Sequence, residues 1–132
     1  MREEVFWLGR LLFSLVLIGS GIGHLAQTEG STQYAAYKGV PNPKTMVQVT
    51  GVLMLLGGLA VVLGIFMDLA AVCIAILMVV FAVKMHTFWT ETDPQTQNIE
   101  RAQFMKNISI AGGALVIAAL PVDWYTITDP VF

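Results

Sequence analysis

The fold is decided by the stretch MVQVTGVLMLLGGLAVVLGIFMDLAAVCIAILMVVFAV, residues 46–83, whose only charged side chain is Asp68. As one helix it would be roughly 57 Å long at the usual rise per residue. That length is about twice the hydrocarbon core of a membrane, so the stretch has to fold back on itself. The turn is expected just before Asp68, at residues 64–67. Two membrane-spanning helices are therefore predicted, over residues 45–66 and 69–89.

Two further apolar stretches complete a bundle, at residues 5–25 and 104–121. In the whole chain 56% of residues are hydrophobic and 12% are charged, whereas a soluble domain carries about 25% charged residues. Each stretch has the length of about 20 mostly apolar residues that a spanning helix requires. The sequence therefore predicts an all-α membrane protein, a single four-transmembrane-helix bundle over residues 1–132.

The polar segments between the spans define two sides of the bundle. Four spans place both termini and the Asp68 turn on one side, called the terminal side, and the segments 26–44 and 90–103 on the other, called the loop side. Pro41 and Pro43 lack an amide donor, so helical structure is expected to end in the first of these segments. The acidic residues of the loops and termini are expected to be solvated.

Several classes of function are disfavoured by composition and motifs. A net charge of −2 without a basic stripe predicts no nucleic-acid partner. The single cysteine, Cys73, cannot form an internal disulfide and is expected to be a small buried residue. Two histidines and one distant cysteine do not supply a zinc site, so no metal site is predicted. No phosphate loop or nucleophile elbow is present, and an enzyme acting on its own is not expected.

Polar and small residues mark the interior of the first span. Arg10, Ser14, Gly21 and His24 fall on one face of a helix, and this face should point into the bundle because lipid does not tolerate an arginine. Arg10, toward the terminal side, is expected to order the bundle or to bind a lipid phosphate. The pair Gly19-x-x-x-Gly23 is expected to let helices approach closely, either within the bundle or in contact with another subunit.

A cluster of polar residues is predicted at the loop-side ends of the spans. Its members are His24, Lys84, His86, Lys106 and Asn107, with Trp89 one turn beyond His86. Ionisable groups at membrane depth indicate function by default, so one plane shared by these residues predicts a site for a small molecule or a lipid headgroup. Lys84 and Lys106 are also explained as lysines that extend to the membrane interface, and for Lys84 this is the preferred explanation.

The order of these motifs resembles the DoxX family of small membrane proteins. This family belongs to a wider group that includes the small subunit of thiosulfate:quinone oxidoreductase and the methylamine-utilisation protein MauE. The matching motifs are Arg10-Leu11-Leu12 with Gly21 and His24, Gly39-Val40-Pro41-x-Pro43, Gly51 with Gly57-Gly58 and Gly64, His86-Thr87-Phe88-Trp89, Phe104-x-Lys106-Asn107, and Gly112-Gly113.

The resemblance implies a multi-pass protein of a bacterial or archaeal cytoplasmic membrane, sometimes associated with oxidoreductases. This sequence departs from the family pattern at two places. The family often has a glutamate where Met54 stands, and an arginine in the tight turn that matches Asp68. Any mechanism that depends on that glutamate does not carry over to this chain.

Three functional hypotheses follow. The first is a membrane subunit that offers a quinone or lipid site to a redox complex, with His24 and His86 contacting the ligand and Trp89, Lys106 and Asn107 supporting them. The second is a non-catalytic structural or assembly subunit of a larger membrane complex. The third, a small transporter, is less favoured because no inverted repeat is visible. Two histidines on separate helices also permit axial ligation of haem b, but no other haem feature accompanies them.

Overall fold

The computed structural model describes residues 1–120, 126–129 and 131, and every regular element within them is helical. A single 3₁₀ turn, Phe88–Thr90, lies between the last two helices. The α-helices are α1 (Arg2–Ala26), α2 (Thr28–Tyr37), α3 (Pro43–Leu63), α4 (Met67–Met85) and α5 (Pro94–Ala119).

Four of these helices, α1, α3, α4 and α5, are long and apolar enough to cross a membrane. In each of them the exposed positions are rich in Leu, Val and Ile, among them Leu12, Leu56, Ile76 and Val116. Large apolar side chains on the outside are stable in lipid and costly in water. The predicted all-α four-helix membrane protein is therefore confirmed.

The long apolar stretch folds back where the sequence predicted, within a residue or two. Gly64 and Phe66 both have left-handed backbone angles, with φ of 73° and 44°, and they separate α3 from α4. Asp68 lies in the first turn of α4 and is buried, and its carboxylate accepts a 2.5 Å hydrogen bond from the amide of Val131. The expectation that the acidic residue at this turn is solvated is therefore wrong. Asp68 instead joins the hairpin to the C-terminal segment.

The two loop-side segments contain more helix than the sequence indicated. Residues 26–44 were expected to end helical structure, yet they hold α2. The last helix begins at Pro94, about three turns before the predicted start at 104, because Asp93 caps it by accepting a hydrogen bond from the Thr96 amide at 3.0 Å. That backbone bond, with a second from the Thr96 hydroxyl, lowers the pKa of Asp93. The predicted end of the span at 121, and an interfacial anchor expected at Trp124 and Tyr125, lie outside the described residues.

Glycines set the close approach of α1 and α3. A β-carbon on Gly21 would lie 2.7 Å from the Gly51 carbonyl oxygen, and one on Gly58 would lie 2.9 Å from the Ile18 side chain. The expected packing role of Gly19-x-x-x-Gly23 is wrong for the described part of the bundle, since β-carbons there would meet nothing within 4 Å. Along the bundle α1 packs on α3, α4 packs on α5, and α3 joins the two pairs through α4.

Arg10 is buried at the terminal end of the α1–α3 contact. Its Nε donates to the Val61 carbonyl oxygen at 2.9 Å, and a terminal guanidinium nitrogen donates to the Val62 carbonyl oxygen at 2.8 Å. The guanidinium also lies over the Trp7 ring, 4.4 Å from its centroid. Carbonyls in the last turn of a helix have no partner within that helix, so Arg10 closes the end of α3.

Candidate functional site

A cavity of about 460 Å³ lies at the loop-side end of the bundle, between the ends of α1, α3 and α4 and under α2. Its walls are mainly apolar, with Val47, Leu77 and Phe81 among them. The side chains with polar atoms in its wall are Gln27, Ser31, Thr50, His24, Tyr34, Lys84 and His86. An apolar pocket with a few polar groups is the usual form of a small-molecule site.

His24, in the cavity wall, has a buried ring nitrogen without a hydrogen-bond partner in the described part of the chain. Its Nδ1 is buried and has no hydrogen-bond partner among residues 1–120, 126–129 and 131. Its ring meets Phe81 edge-on, with 6.2 Å between the centroids, and its backbone oxygen accepts from the Thr28 hydroxyl at 2.9 Å. A buried polar atom without a partner costs free energy, so the described surroundings of His24 leave one of its ring nitrogens unsatisfied.

His86 reaches the cavity from the end of α4 and is held by Glu100 of α5. Its Nδ1 lies 3.1 Å from Glu100 Oε2. The Tyr34 hydroxyl of α2 donates to Glu100 Oε1 at 2.8 Å and also lies 3.0 Å from the Met85 carbonyl oxygen. Burial, together with the bond to Glu100, raises the pKa of Tyr34 well above its usual range. Tyr34 is therefore a neutral phenol at physiological pH.

Lys38 completes this network on the side away from the cavity. Its Nζ lies 3.5 Å from Glu100 Oε2 and 3.3 Å from Glu91 Oε1, and the Lys38 side chain is only 6% exposed. Tyr34, Lys38, His86, Glu91 and Glu100 are called the polar network below. Because Lys38 and Tyr34 belong to α2 and its C-terminal end, the network fastens α2 to α4 and α5.

The structure gathers only some of the predicted site residues. His24, Lys84 and His86 line the cavity, whereas the other three lie elsewhere. Trp89 is half exposed and packs edge-on against Phe88 and Phe104. Lys106 is exposed and donates to Gln103 Oε1 at 2.6 Å. Asn107 is buried in α5, outside the cavity wall.

Sequence reasoning missed Glu100, the central carboxylate of the network. It was grouped with the solvated loop acids, and that expectation is wrong because Glu100 is 8% exposed and contacts Tyr34, Lys38 and His86. A signal was present in the sequence. Glu100 lies seven residues before Asn107, and Ala111 and Ala114 follow at helical spacing, so all four share one buried face of α5.

Two other expectations change with the structure. Cys73 is exposed rather than buried, because outward positions of a spanning helix face lipid and accept a small apolar thiol. Met54, which stands where the family often has a glutamate, is 2% exposed in the apolar core. In the described part of the chain, no three His, Cys, Asp or Glu side chains come together as a metal site would need.

Four helices that are long and apolar enough to cross a membrane define a small multi-pass integral membrane protein. The DoxX family model matches residues 5–87, which is more than half of the chain, and the chain belongs to the DoxX family. It is 30% identical over 118 residues to the inner membrane protein YphA of Escherichia coli, covering 89% of this chain and 83% of that protein. It is 29% identical to the inner membrane protein YqjF of the same organism, covering 89% and 85%.

These similarities agree with the spans seen in the structure. The matched relatives are inner membrane proteins, and the chain is a multi-pass integral membrane protein of a bacterial membrane. No solved structure matches the chain.

Proposed function

We propose that this protein is a membrane subunit that binds an amphiphile of the quinone class in the loop-side cavity and presents it to a redox partner. The observation that carries the proposal is an apolar cavity of about 460 Å³ whose wall holds two histidines, His24 and His86. A ligand with a polar ring and an apolar body matches both features.

The two histidines give the cavity polar groups at different positions in its wall. His24 belongs to α1 and His86 follows the end of α4, so a ring between them can form a hydrogen bond at each of two substituents. Imidazole nitrogens donate or accept according to their tautomer. Phe81, next to His24, offers an aromatic edge to the same ring.

Membrane lipid is the other amphiphile with access to the cavity. A phospholipid headgroup carries a phosphate, which arginine and lysine recognise through charge-assisted hydrogen bonds. Lys84 is the one cationic residue of the described cavity wall, and the other polar groups there are uncharged or are histidines. An uncharged polar ring therefore suits the cavity better than a phosphate.

A cavity-filling substitution tests the proposal. Ser31→Phe places a ring in the cavity wall from α2, whereas Gln33→Phe places the same ring on the exposed side of the same helix. In detergent, a benzoquinone with a decyl tail should raise the unfolding temperature of the wild type, since a ligand stabilises the state that binds it. The shift should persist in Q33F and disappear in S31F. Equal shifts in both variants, or none in the wild type, would refute the proposal.

A structural or assembly subunit is the second candidate, and one observation favours it. Gly19 and Gly23 leave open space on the outer surface of α1 among the described residues, and such pairs let helices of different subunits pack closely. His24→Ala separates the two candidates, because a scaffold keeps its partner without this side chain whereas a ligand site loses affinity. Partner retention can be read by co-purification from native membranes, and affinity by the same thermal titration.

A further inference from the structure

The contact between His86 and Glu100 fixes which imidazole nitrogen carries the proton. Nδ1 of His86 lies 3.1 Å from Glu100 Oε2. An ionised carboxylate has no proton to give and only accepts hydrogen bonds. Nδ1 must therefore be the protonated nitrogen, and it donates to Glu100.

The surroundings of Glu100 support the ionised carboxylate. The Lys38 ammonium lies 3.5 Å from Oε2, and the Tyr34 hydroxyl lies 2.8 Å from Oε1, so donors meet both oxygens. A nearby cation and hydrogen bonds to the charged form both favour ionisation. Tyr34 remains a donor because its pKa is raised by burial and by its bond to Glu100.

His86 therefore presents a hydrogen-bond acceptor to the cavity. In a neutral imidazole that is protonated at Nδ1, the other nitrogen, Nε2, carries a lone pair. His86 lines the cavity, and Nδ1 is occupied by Glu100, so Nε2 is the nitrogen left for a ligand. Its partner has to be a donor.

We propose that the cavity selects the hydroxyl-bearing hydroquinone form of its ligand over the quinone form, with Glu100 as the positioning residue that sets this preference through His86. The inference rests on the proposed function and narrows its substrate class. A hydroquinone hydroxyl donates to Nε2, whereas a quinone carbonyl would place two acceptors against each other. A buried acceptor left without a donor costs as much as a lost hydrogen bond.

Changing Glu100 to methionine tests the preference directly. The apolar side chain removes the acceptor of Nδ1, while Tyr34 can still donate to the Met85 carbonyl oxygen and Lys38 keeps Glu91 as its partner. Nε2 can then carry the proton and act as a donor, so the cavity can also bind a carbonyl. We expect the wild type to bind a decyl-tailed hydroquinone about tenfold or more tightly than the matching benzoquinone, and E100M to lose most of this preference by gaining affinity for the quinone.

The measurement is a pair of anaerobic titrations of detergent-purified protein at about pH 8, where an ordinary imidazole is neutral. Glu91→Gln is the matched control, because it removes the other carboxylate near Lys38 and leaves the His86–Glu100 contact in place. E91Q should keep the preference for the hydroquinone. Equal affinity of the wild type for the two forms, or an unchanged preference in E100M, would overturn the inference and leave the binding proposal standing. Binding of neither form would overturn both.

Nuclear magnetic resonance keeps the inference testable if E100M does not fold. The chain has two histidines, so selective ¹⁵N-histidine labelling gives two pairs of imidazole nitrogen signals, and His24→Ala assigns each pair to its residue. The ¹⁵N shifts distinguish the two neutral tautomers without any ligand. We expect the Nδ1-protonated form at His86, and the Nε2-protonated form there would overturn the inference.

Discussion

Lys38→Met is expected to destabilise the protein by about 3 kcal/mol, because it leaves one buried and one partly buried carboxylate without their cation. The Lys38 side chain is 6% exposed, and those of its partners, Glu91 and Glu100, are 17% and 10% exposed. Removing one partner of a buried pair costs roughly 3–5 kcal/mol, against about 0–1 kcal/mol for an exposed pair. The lower end applies because the network lies near the membrane interface, where some water can relax around it.

The assay is reversible unfolding in mixed detergent micelles, with the free energy of unfolding measured at neutral pH. Lys44→Met is the matched control, because Lys44 is exposed at the start of α3 and surface changes stay within about 0.5 kcal/mol. The triple variant Lys38→Met, Glu91→Gln, Glu100→Gln should recover part of the loss, since no unpaired charge remains. A K38M loss below about 1 kcal/mol would refute the reasoning, since it would mean that water solvates the network as at an exposed surface.

Three further variants test the packing, the closure of α3 and the phenol of the network. Gly21→Ala should cost about 1–3 kcal/mol by forcing α1 away from α3, whereas Gly19→Ala should be near neutral; equal losses in the same unfolding assay would contradict the assigned contact face. Arg10→Ala should cost about 3 kcal/mol or more, because it leaves two carbonyl oxygens of α3 without their charged donor, and a loss below about 1 kcal/mol would contradict that role. The raised pKa of Tyr34 means that its neutral form is favoured in the folded state. Wild-type stability should therefore fall above about pH 10, where the unfolded tyrosine ionises. Tyr34→Phe has no phenol to ionise and lacks this loss. The difference in free energy of unfolding between the wild type and Y34F should therefore narrow above that pH, and a difference that stays constant would contradict the assignment.

The spans could be predicted because the solvent of this protein is lipid. A run such as residues 46–83 has no alternative to crossing the membrane twice, and Gly64 provides the left-handed turn between its halves. Arg10 could be predicted to face inward for the same reason, since a guanidinium facing lipid is costly. Its partners, the carbonyl oxygens of Val61 and Val62, could not be predicted, because the approach of α1 to α3 depends on packing at Gly21 and Gly58.

The loop side could be predicted only in part, because hydropathy does not report short polar helices. The helix α2 is too polar to stand out from a loop, yet it covers the cavity and carries Tyr34. The early start of α5 was readable in Asp93 followed by Pro94, a capping residue and a favoured first helical residue. With that start, Glu100 falls on the face of Asn107 and points inward, and the polar network around it follows.

The candidate site was predicted from the similar depth of its residues in the membrane. That depth alone does not decide which helix faces come together. His24 and His86 share a cavity because the ends of α1 and α4 both open toward α2. Lys106 lies at a comparable position along α5 but projects outward, where Gln103 accepts from it. Trp89 packs on Phe104 instead of the cavity, since the 3₁₀ turn Phe88–Thr90 carries it toward α5.

The most direct test of the central claim, that the loop-side cavity holds a quinone-class ligand, is a solvent extract of protein purified mildly from its own membrane. Chromatography with absorbance and mass detection should find a quinone or hydroquinone in stoichiometric amount with the wild type and with Q33F, and little of it with S31F. An extract that contains only bulk phospholipid, an extract with a Soret band from haem, or a quinone retained equally by S31F would contradict the claim.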